Sequence, residues 1–142
     1  MPVSLRRQVI QRASNYCEYC GLSQAGQEAA FHVDHIVPVT AHGATNLANL
    51  ALACVSCSLR KGSRRKAVDP RTNDTVDLFH PRRKVWRLHF RWDGNGRMVG
   101  LTATGRATVA ALSMNRSLAV AIRREEIIRG REAARGDAGE VD

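Results

Sequence analysis

Residues 31–62 read FHVDHIVPVTAHGATNLANLALACVSCSLRKG. An acid and a histidine, Asp34 and His35, stand side by side; Asn49 follows after a loop-like segment, and Cys54 and Cys57 open a basic segment. Such side chains can hold a metal ion, accept a proton and fix a loop. The stretch therefore predicts a functional site.

The local pattern predicts a strand, a loop, a second strand and a helix around this site. Residues 30–37 alternate loosely between apolar and polar, and Pro38 should end that strand. Residues 39–48 contain turn-forming residues and predict an ordered loop. Residues 49–53 predict a short apolar strand, and residues 54–65 predict a helix with a basic exposed side. The predicted fold class is α+β.

Cys17 and Cys20 repeat the Cys-x-x-Cys spacing of Cys54 and Cys57. Four thiolates in two such pairs can close a tetrahedral shell around Zn²⁺. The separation of the pairs exceeds the ~15–20 residues of a simple zinc ribbon, so a folded insert is expected between them. We predict a structural zinc ion; buried cysteines without a metal are the alternative, but they leave the doubled spacing unexplained.

Composition and charge indicate the kind of partner. A chain of 142 residues with 44% hydrophobic content can bury one modest core. A formal charge of +9 favours a polyanion, either nucleic acid or an anionic membrane. Since no apolar run approaches the ~20 residues that span a bilayer, and the first residues do not resemble a signal peptide, we expect a cytoplasmic protein and no membrane partner.

The sequence outside this stretch also predicts secondary-structure elements. Residues 2–16 predict an amphipathic helix, and residues 63–83 a linker. Residues 85–92 predict a half-buried strand, and residues 93–96 a hairpin turn. Residues 98–103 predict the returning strand. On this hairpin the tryptophans are expected to belong to the core.

Residues 104–129 predict two helical segments with Asn115 as a possible cap between them. We thus expect a core over residues 1–65, a basic linker, hairpin and helical extension packed on it over residues 66–130, and a disordered tail over residues 131–142.

The acid and the histidine suit hydrolysis of a phosphodiester. That reaction needs a base for water and a cation for the phosphate and the departing oxygen. His35 can be the base, since imidazole titrates near neutrality, and Asp34 can bind a hard ion such as Mg²⁺. Adjacent strand residues point to opposite faces, so both serve one site only if the strand twists or ends at His35.

These motifs together resemble the HNH endonuclease family in its zinc-knuckle form. The resemblance covers roughly residues 17–65 and rests on four segments: VDHIVP (33–38), NLANL (46–50), CVSC (54–57) and RKG (60–62). It implies a ββα-metal core, with Asp34 as the first metal ligand and His35 as the general base. Asn49 would order the loop so that the histidine is correctly aimed.

Ser58 departs from the family pattern. The residue directly after the last knuckle cysteine is usually His or Asn in this family and completes the metal site. A neutral hydroxyl is a weaker ligand, so Ser58 would act directly or through a water. His32 is the alternative ligand, because it shares a strand face with Asp34.

The basic residues are concentrated in one segment. Residues 60–91 contain eleven Lys or Arg and three Asp, a net +8 of the chain's +9. This is where DNA is expected to bind. The candidate contact residues are Arg60, Lys61, Arg64, Arg65, Lys66, Arg82, Arg83 and Lys84.

Two functions remain open from the sequence. The first is a DNA endonuclease that uses Mg²⁺ or Mn²⁺ beside its structural Zn²⁺. The second is a zinc-stabilised nucleic-acid-binding module whose active site has decayed, which Ser58 makes conceivable. One site per chain would cut one strand, so a double-strand break would require a dimer or two events; a monomer and a weak dimer are both compatible with the sequence.

Overall fold

The computed structural model describes residues 1–131. The tail predicted for residues 131–142 lies outside the described residues except for Arg131, whose guanidinium pairs with the buried carboxylate of Glu126 at 2.8 Å. No helix within the described part of the chain is long and apolar enough to cross a membrane. The elements are α1 (Val3–Arg12), β1 (His32–His35), β2 (Leu50–Ala53), α2 (Val55–Lys61), β3 (Lys66–Val68), β4 (Thr75–Asp77), α3 (Trp86–His89), β5 (Phe90–Trp92), β6 (Met98–Gly100), α4 (Ala103–Ala111) and α5 (Ser117–Ile128).

The centre of the fold is the hairpin β1–β2, with α2 following directly. The strands are antiparallel, with His32 opposite Ala53 and His35 opposite Leu50. Strand β2 is buried along its whole length, and α1 and α2 pack against it. The predicted ββα core is therefore confirmed. Helix α2 ends at Gly62, whose φ of +53° suits a residue without a side chain.

The predicted linker over residues 63–83 is wrong, because this segment contains the antiparallel hairpin β3–β4. Asp69 fixes its turn: the buried carboxylate accepts hydrogen bonds from Arg71 N and Thr72 Oγ1, and pairs with Arg106 of α4 at 2.8 Å. The Arg106 guanidinium holds the pKa of Asp69 well below its usual range. Each strand has three residues, too few for an alternating pattern to stand out in sequence.

The prediction of a strand over residues 85–92 is wrong for its first part and confirmed for its last three residues. Residues 86–89 form the single helical turn α3, and only Phe90–Trp92 form a strand. Leu88 is therefore exposed instead of sharing a face with Trp86 and Phe90, which are buried. The core assignment of the tryptophans holds: Trp86 is buried, and half-buried Trp92 packs against the core.

The remaining hairpin and helices agree with the sequence prediction. Strands β5 and β6 are antiparallel, and the Asp93 carboxylate in their turn accepts hydrogen bonds from two backbone amides. Helices α4 and α5 are the two predicted segments. Asn115, however, does not cap α5: its amide exchanges two hydrogen bonds with the backbone of Met98, and Arg116 occupies the cap position.

Candidate active site and zinc centre

The four cysteines form one buried cluster. Their sulfur atoms all lie within 4.8 Å of one another, and Cys20 Sγ is 3.8 Å from Cys54 Sγ. A tetrahedral Zn²⁺ with bonds of about 2.3 Å places neighbouring sulfur atoms about 3.8 Å apart, so this spacing fits the ion. In each Cys-x-x-Cys pair, the amide of the second cysteine donates to the sulfur of the first at 3.4 Å. The cluster is arranged to hold a metal ion, and four thiolates favour zinc.

Hydrogen bonds within the cluster shift the pKa values of its thiols in opposite directions. Those with Cys17 make the largest contribution: they raise the pKa of Cys57 and lower that of Cys54. The contacts within the cluster thus favour the thiolate form of Cys54 and the thiol form of Cys57.

The first knuckle is bound to the second strand and to the extension. The backbone and the carboxylate of Glu18 both hydrogen bond to Leu52, at 2.8 Å each, and the same carboxylate pairs with Arg82. The indole N–H groups of Trp86 and Trp92 donate to the carbonyls of Tyr19 and Cys20, at 2.8 and 3.0 Å. Residues 82–92 therefore fix the position of this knuckle.

Three side chains meet between β1 and α2. Ser58 Oγ donates to Asp34 Oδ1 at 3.0 Å, and His32 Nδ1 lies 2.8 Å from the same hydroxyl. His32 and Asp34 are two residues apart on one strand and so share a face. The structure thus brings together Asp34, Ser58 and the alternative ligand His32.

His35 is the last residue of β1, the position at which its side chain can leave the regular alternation. Its Nε2 is 2.8 Å from the hydroxyl of Thr45, in the loop between the two strands. The side chains of Asp34 and His35 are thus held by different elements, α2 and the loop.

Asn49 holds this loop together from a buried position. Its Oδ1 accepts from Val37 N at 2.9 Å, and its Nδ2 donates to the carbonyls of Val37 and Ala44 at 3.0 and 2.9 Å. Gly43 passes so close that a Cβ there would lie 1.7 Å from the Val37 oxygen. The loop conformation therefore requires both the asparagine and the glycine.

Replacement of Asn49 by alanine is expected to lower the free energy of unfolding by about 2–4 kcal/mol, because three hydrogen bonds from this buried side chain to the backbone of Val37 and Ala44 are lost. Urea denaturation measures this change. Asn46→Ala, at an exposed position in the same loop, is the matched control and should cost less than about 0.5 kcal/mol. Equal losses in the two variants would contradict the role of Asn49.

Two of the predicted DNA-contacting residues are held by groups inside the protein: Lys61 fully, and Arg82 in part. Lys61 is buried, and its ammonium donates to the carbonyls of His35 and Ile36 at 3.3 and 3.2 Å. Burial lowers its pKa, and the carboxylate of Asp34 partly opposes that shift. Arg82 is largely buried against Glu18. The Lys61 assignment is therefore wrong, because its ammonium stabilises the strand end, whereas Arg82 pairs with the first knuckle and its role in DNA binding stays a prediction.

The six other candidates, Arg60, Arg64, Arg65, Lys66, Arg83 and Lys84, are exposed. All but Arg60 line a cleft of about 650 Å³ between α2, the hairpin β3–β4 and residues 79–84. Three have partners: Lys66 pairs with Asp77 at 2.7 Å, Arg64 donates to the Ala111 carbonyl at 2.7 Å, and Arg60 donates to Ser56 Oγ at 3.1 Å. The exposed residues thus form a basic cleft that adjoins the end of β1 through Ile36 and Val37.

Sequence reasoning missed Thr45 and Glu18. Threonine is an ordinary residue type in a turn, so Thr45 has no distinguishing sequence signal. Its contact with His35 depends on the loop conformation. Glu18 stands between two cysteines and has no pattern of its own; its partner Arg82 is 64 residues away. Neither contact has a local sequence signal.

The comparison with protein families agrees with this geometry. The family model for HNH endonuclease matches residues 17–64, which include both knuckles, the hairpin β1–β2 and α2. No curated protein and no solved structure matches the chain. The predicted resemblance is confirmed over this segment of the 142-residue chain: residues 17–64 match the model of the HNH endonuclease family, which suggests a nuclease-type function.

Proposed function

We propose that this protein is a metal-dependent endonuclease that hydrolyses phosphodiester bonds in DNA, leaving 5′-phosphate and 3′-hydroxyl ends. The observation that carries the proposal is the pair Asp34 and His35 at the end of β1, each held by its own partner. Ser58 fixes the carboxylate from α2, and Thr45 fixes the imidazole from the loop. Metal-binding and proton-accepting groups are thus oriented independently beside a basic cleft.

His35 acts as the general base. When Nε2 carries the ring proton and donates it to the Thr45 hydroxyl, Nδ1 has a lone pair that can accept a proton from the attacking water. Asn49 supports this geometry indirectly, because it fixes the loop that contains Thr45. Lys61 holds the backbone of the same strand end.

Asp34 would hold the divalent ion, Mg²⁺ or Mn²⁺, with Ser58 beside it. When bound, such an ion supplies positive charge to the scissile phosphate and the departing 3′ oxygen. The hydrogen bond from Ser58 limits rotation of the Asp34 carboxylate, so one oxygen keeps a fixed direction.

The alternative function is a nucleic-acid-binding module without catalysis. Ser58 is the observation that favours it, because the HNH family usually has His or Asn at that position. Asp34, His35 and Asn49 are the residue types that the HNH resemblance assigns to catalysis, and the side chain of each makes a hydrogen bond. Both observations favour the endonuclease.

A plasmid-nicking assay tests the proposal. Zinc-loaded protein is incubated with supercoiled DNA in buffer without added Mg²⁺, then with Mg²⁺ or Mn²⁺; chelators are avoided because they would also remove zinc. Nicked circles should form only with the added ion, and Asp34→Ala purified in parallel should form none. Binding without nicking under every metal condition would support the alternative function. Nicked circles should precede linear DNA if the protein acts as a monomer.

DNA binding should depend on the basic cleft. Replacing Arg65, Arg83 and Lys84 by glutamine should lower the slope of log affinity against log salt by about 2–3, because each lost phosphate contact contributes about 0.9. Fluorescence anisotropy with a short duplex measures the slope.

The matched control is Arg7, Arg97 and Arg124 replaced by glutamine, which removes the same charge from exposed positions that do not line the cleft. If both triple variants reduce the slope equally, only net charge matters. If neither does, DNA binds elsewhere.

A further inference from the structure

We propose that His32 is a nitrogen ligand of the catalytic divalent ion, which this chain would bind through His32 Nδ1 and Asp34 with Ser58 between them. This inference rests on the proposed metal site at Asp34. His32 would be the further ligand that the site needs, because the neutral hydroxyl of Ser58 is a weak ligand.

The hydrogen bonds fix the direction of the three groups. A serine hydroxyl has one proton, so if Ser58 Oγ donates it to Asp34, the same oxygen accepts from His32 Nδ1–H. Nδ1 and the two oxygens are therefore joined in series, with the Ser58 hydroxyl in the middle. A shift of the imidazole proton to Nε2 frees Nδ1 for a metal ion without changing the charge of the ring.

The spacing of the ligand atoms suits an octahedral ion. His32 Nδ1 is 2.8 Å from Ser58 Oγ, which is 3.0 Å from Asp34 Oδ1. Neighbouring ligands of an octahedral ion with bonds of about 2.1 Å lie about 3.0 Å apart. Each hydrogen-bonded pair therefore already has about the separation that two neighbouring ligands of such an ion would need.

The residue types explain how the site tolerates Ser58. Ser58 is buried and small, so it leaves space between α2 and β1 for an imidazole that comes from the strand. The ligand that the HNH family usually takes from the helix would come from β1 instead. A nitrogen ligand should favour Mn²⁺ over Mg²⁺, which prefers oxygen ligands and retains its waters.

Mn²⁺ binding to the zinc-loaded full chain without DNA tests this assignment. The electron paramagnetic resonance signal of free Mn²⁺ gives the affinity, and pulsed measurements detect ¹⁴N coupling from a bound imidazole. His32→Ala should weaken Mn²⁺ binding at least about tenfold, since even second-shell changes cost 10–100-fold. His42→Ala, at an exposed loop histidine, should leave the affinity unchanged. The double variant His32→Ala with Ser58→His should recover much of the lost affinity.

The ¹⁴N coupling keeps the proposal testable if His32→Ala folds poorly, because it is read on the parent protein. The coupling should be present in the parent and in His35→Ala. Its absence from the parent, its loss in His35→Ala, or an unchanged Mn²⁺ affinity in a folded His32→Ala would each overturn the assignment. Nicking by a protein that binds Mn²⁺ without His32 would leave the proposed function intact; Mn²⁺ bound through His32 without nicking would refute only the function.

Discussion

Replacement of His35 by alanine is expected to reduce the rate of DNA cleavage by ~10²–10⁴-fold, the usual contribution of a general base. Affinity for DNA should change little, because the imidazole acts on water and the basic cleft supplies the phosphate contacts. Single-turnover nicking at saturating protein measures the rate, and anisotropy measures the affinity.

His42→Ala is the matched control for this variant. Both histidines flank the same loop, but His42 is exposed. Cleavage at the parental rate by His35→Ala would remove His35 from the mechanism, whereas an equal loss in both variants would indicate general disturbance of the loop.

Removal of zinc is expected to unfold the protein. The cysteine cluster joins the segment before β1 to α2, and zinc binding in small domains contributes about 10–16 kcal/mol of apparent free energy at neutral pH. Elemental analysis should find about one Zn²⁺ per chain, and a strong chelator should abolish the cooperative thermal transition seen by circular dichroism.

Restoration by Zn²⁺ but not by Mg²⁺ would assign this effect to the cysteine cluster, because thiolates bind zinc and Mg²⁺ prefers oxygen. A folded protein that contains no zinc and resists the chelator would contradict the prediction.

The parts of the fold that sequence predicted are those with local signals. Cysteine spacing predicted the cluster, and the loose alternation of residues 30–37 before Pro38 predicted a strand, which the structure has at His32–His35. Turn chemistry predicted the hairpin at residues 93–96. In each case a few neighbouring residues suffice to constrain the backbone.

The errors arise where contacts distant in sequence override a local pattern. The alternation from Trp86 to Trp92 matched a strand, yet the Trp86 indole bonds to Tyr19 and the first turn is helical. Lys61 belongs to a run of basic residues, but two carbonyls at the end of β1 hold it inside. No spacing rule distinguishes such a buried lysine from its exposed neighbours.

The contacts between residues 82–92 and the first knuckle bear on how the segment that matches the HNH family, residues 17–64, could be exchanged between proteins. Residues 17–64 alone would leave the buried Glu18 carboxylate without Arg82, and the loss of one partner of a buried pair typically costs about 3–5 kcal/mol. The indole donors to Tyr19 and Cys20 would be lost as well. The matched segment is therefore not expected to fold well when it is transferred alone. A recombination boundary that preserves its fold should fall beyond Trp92.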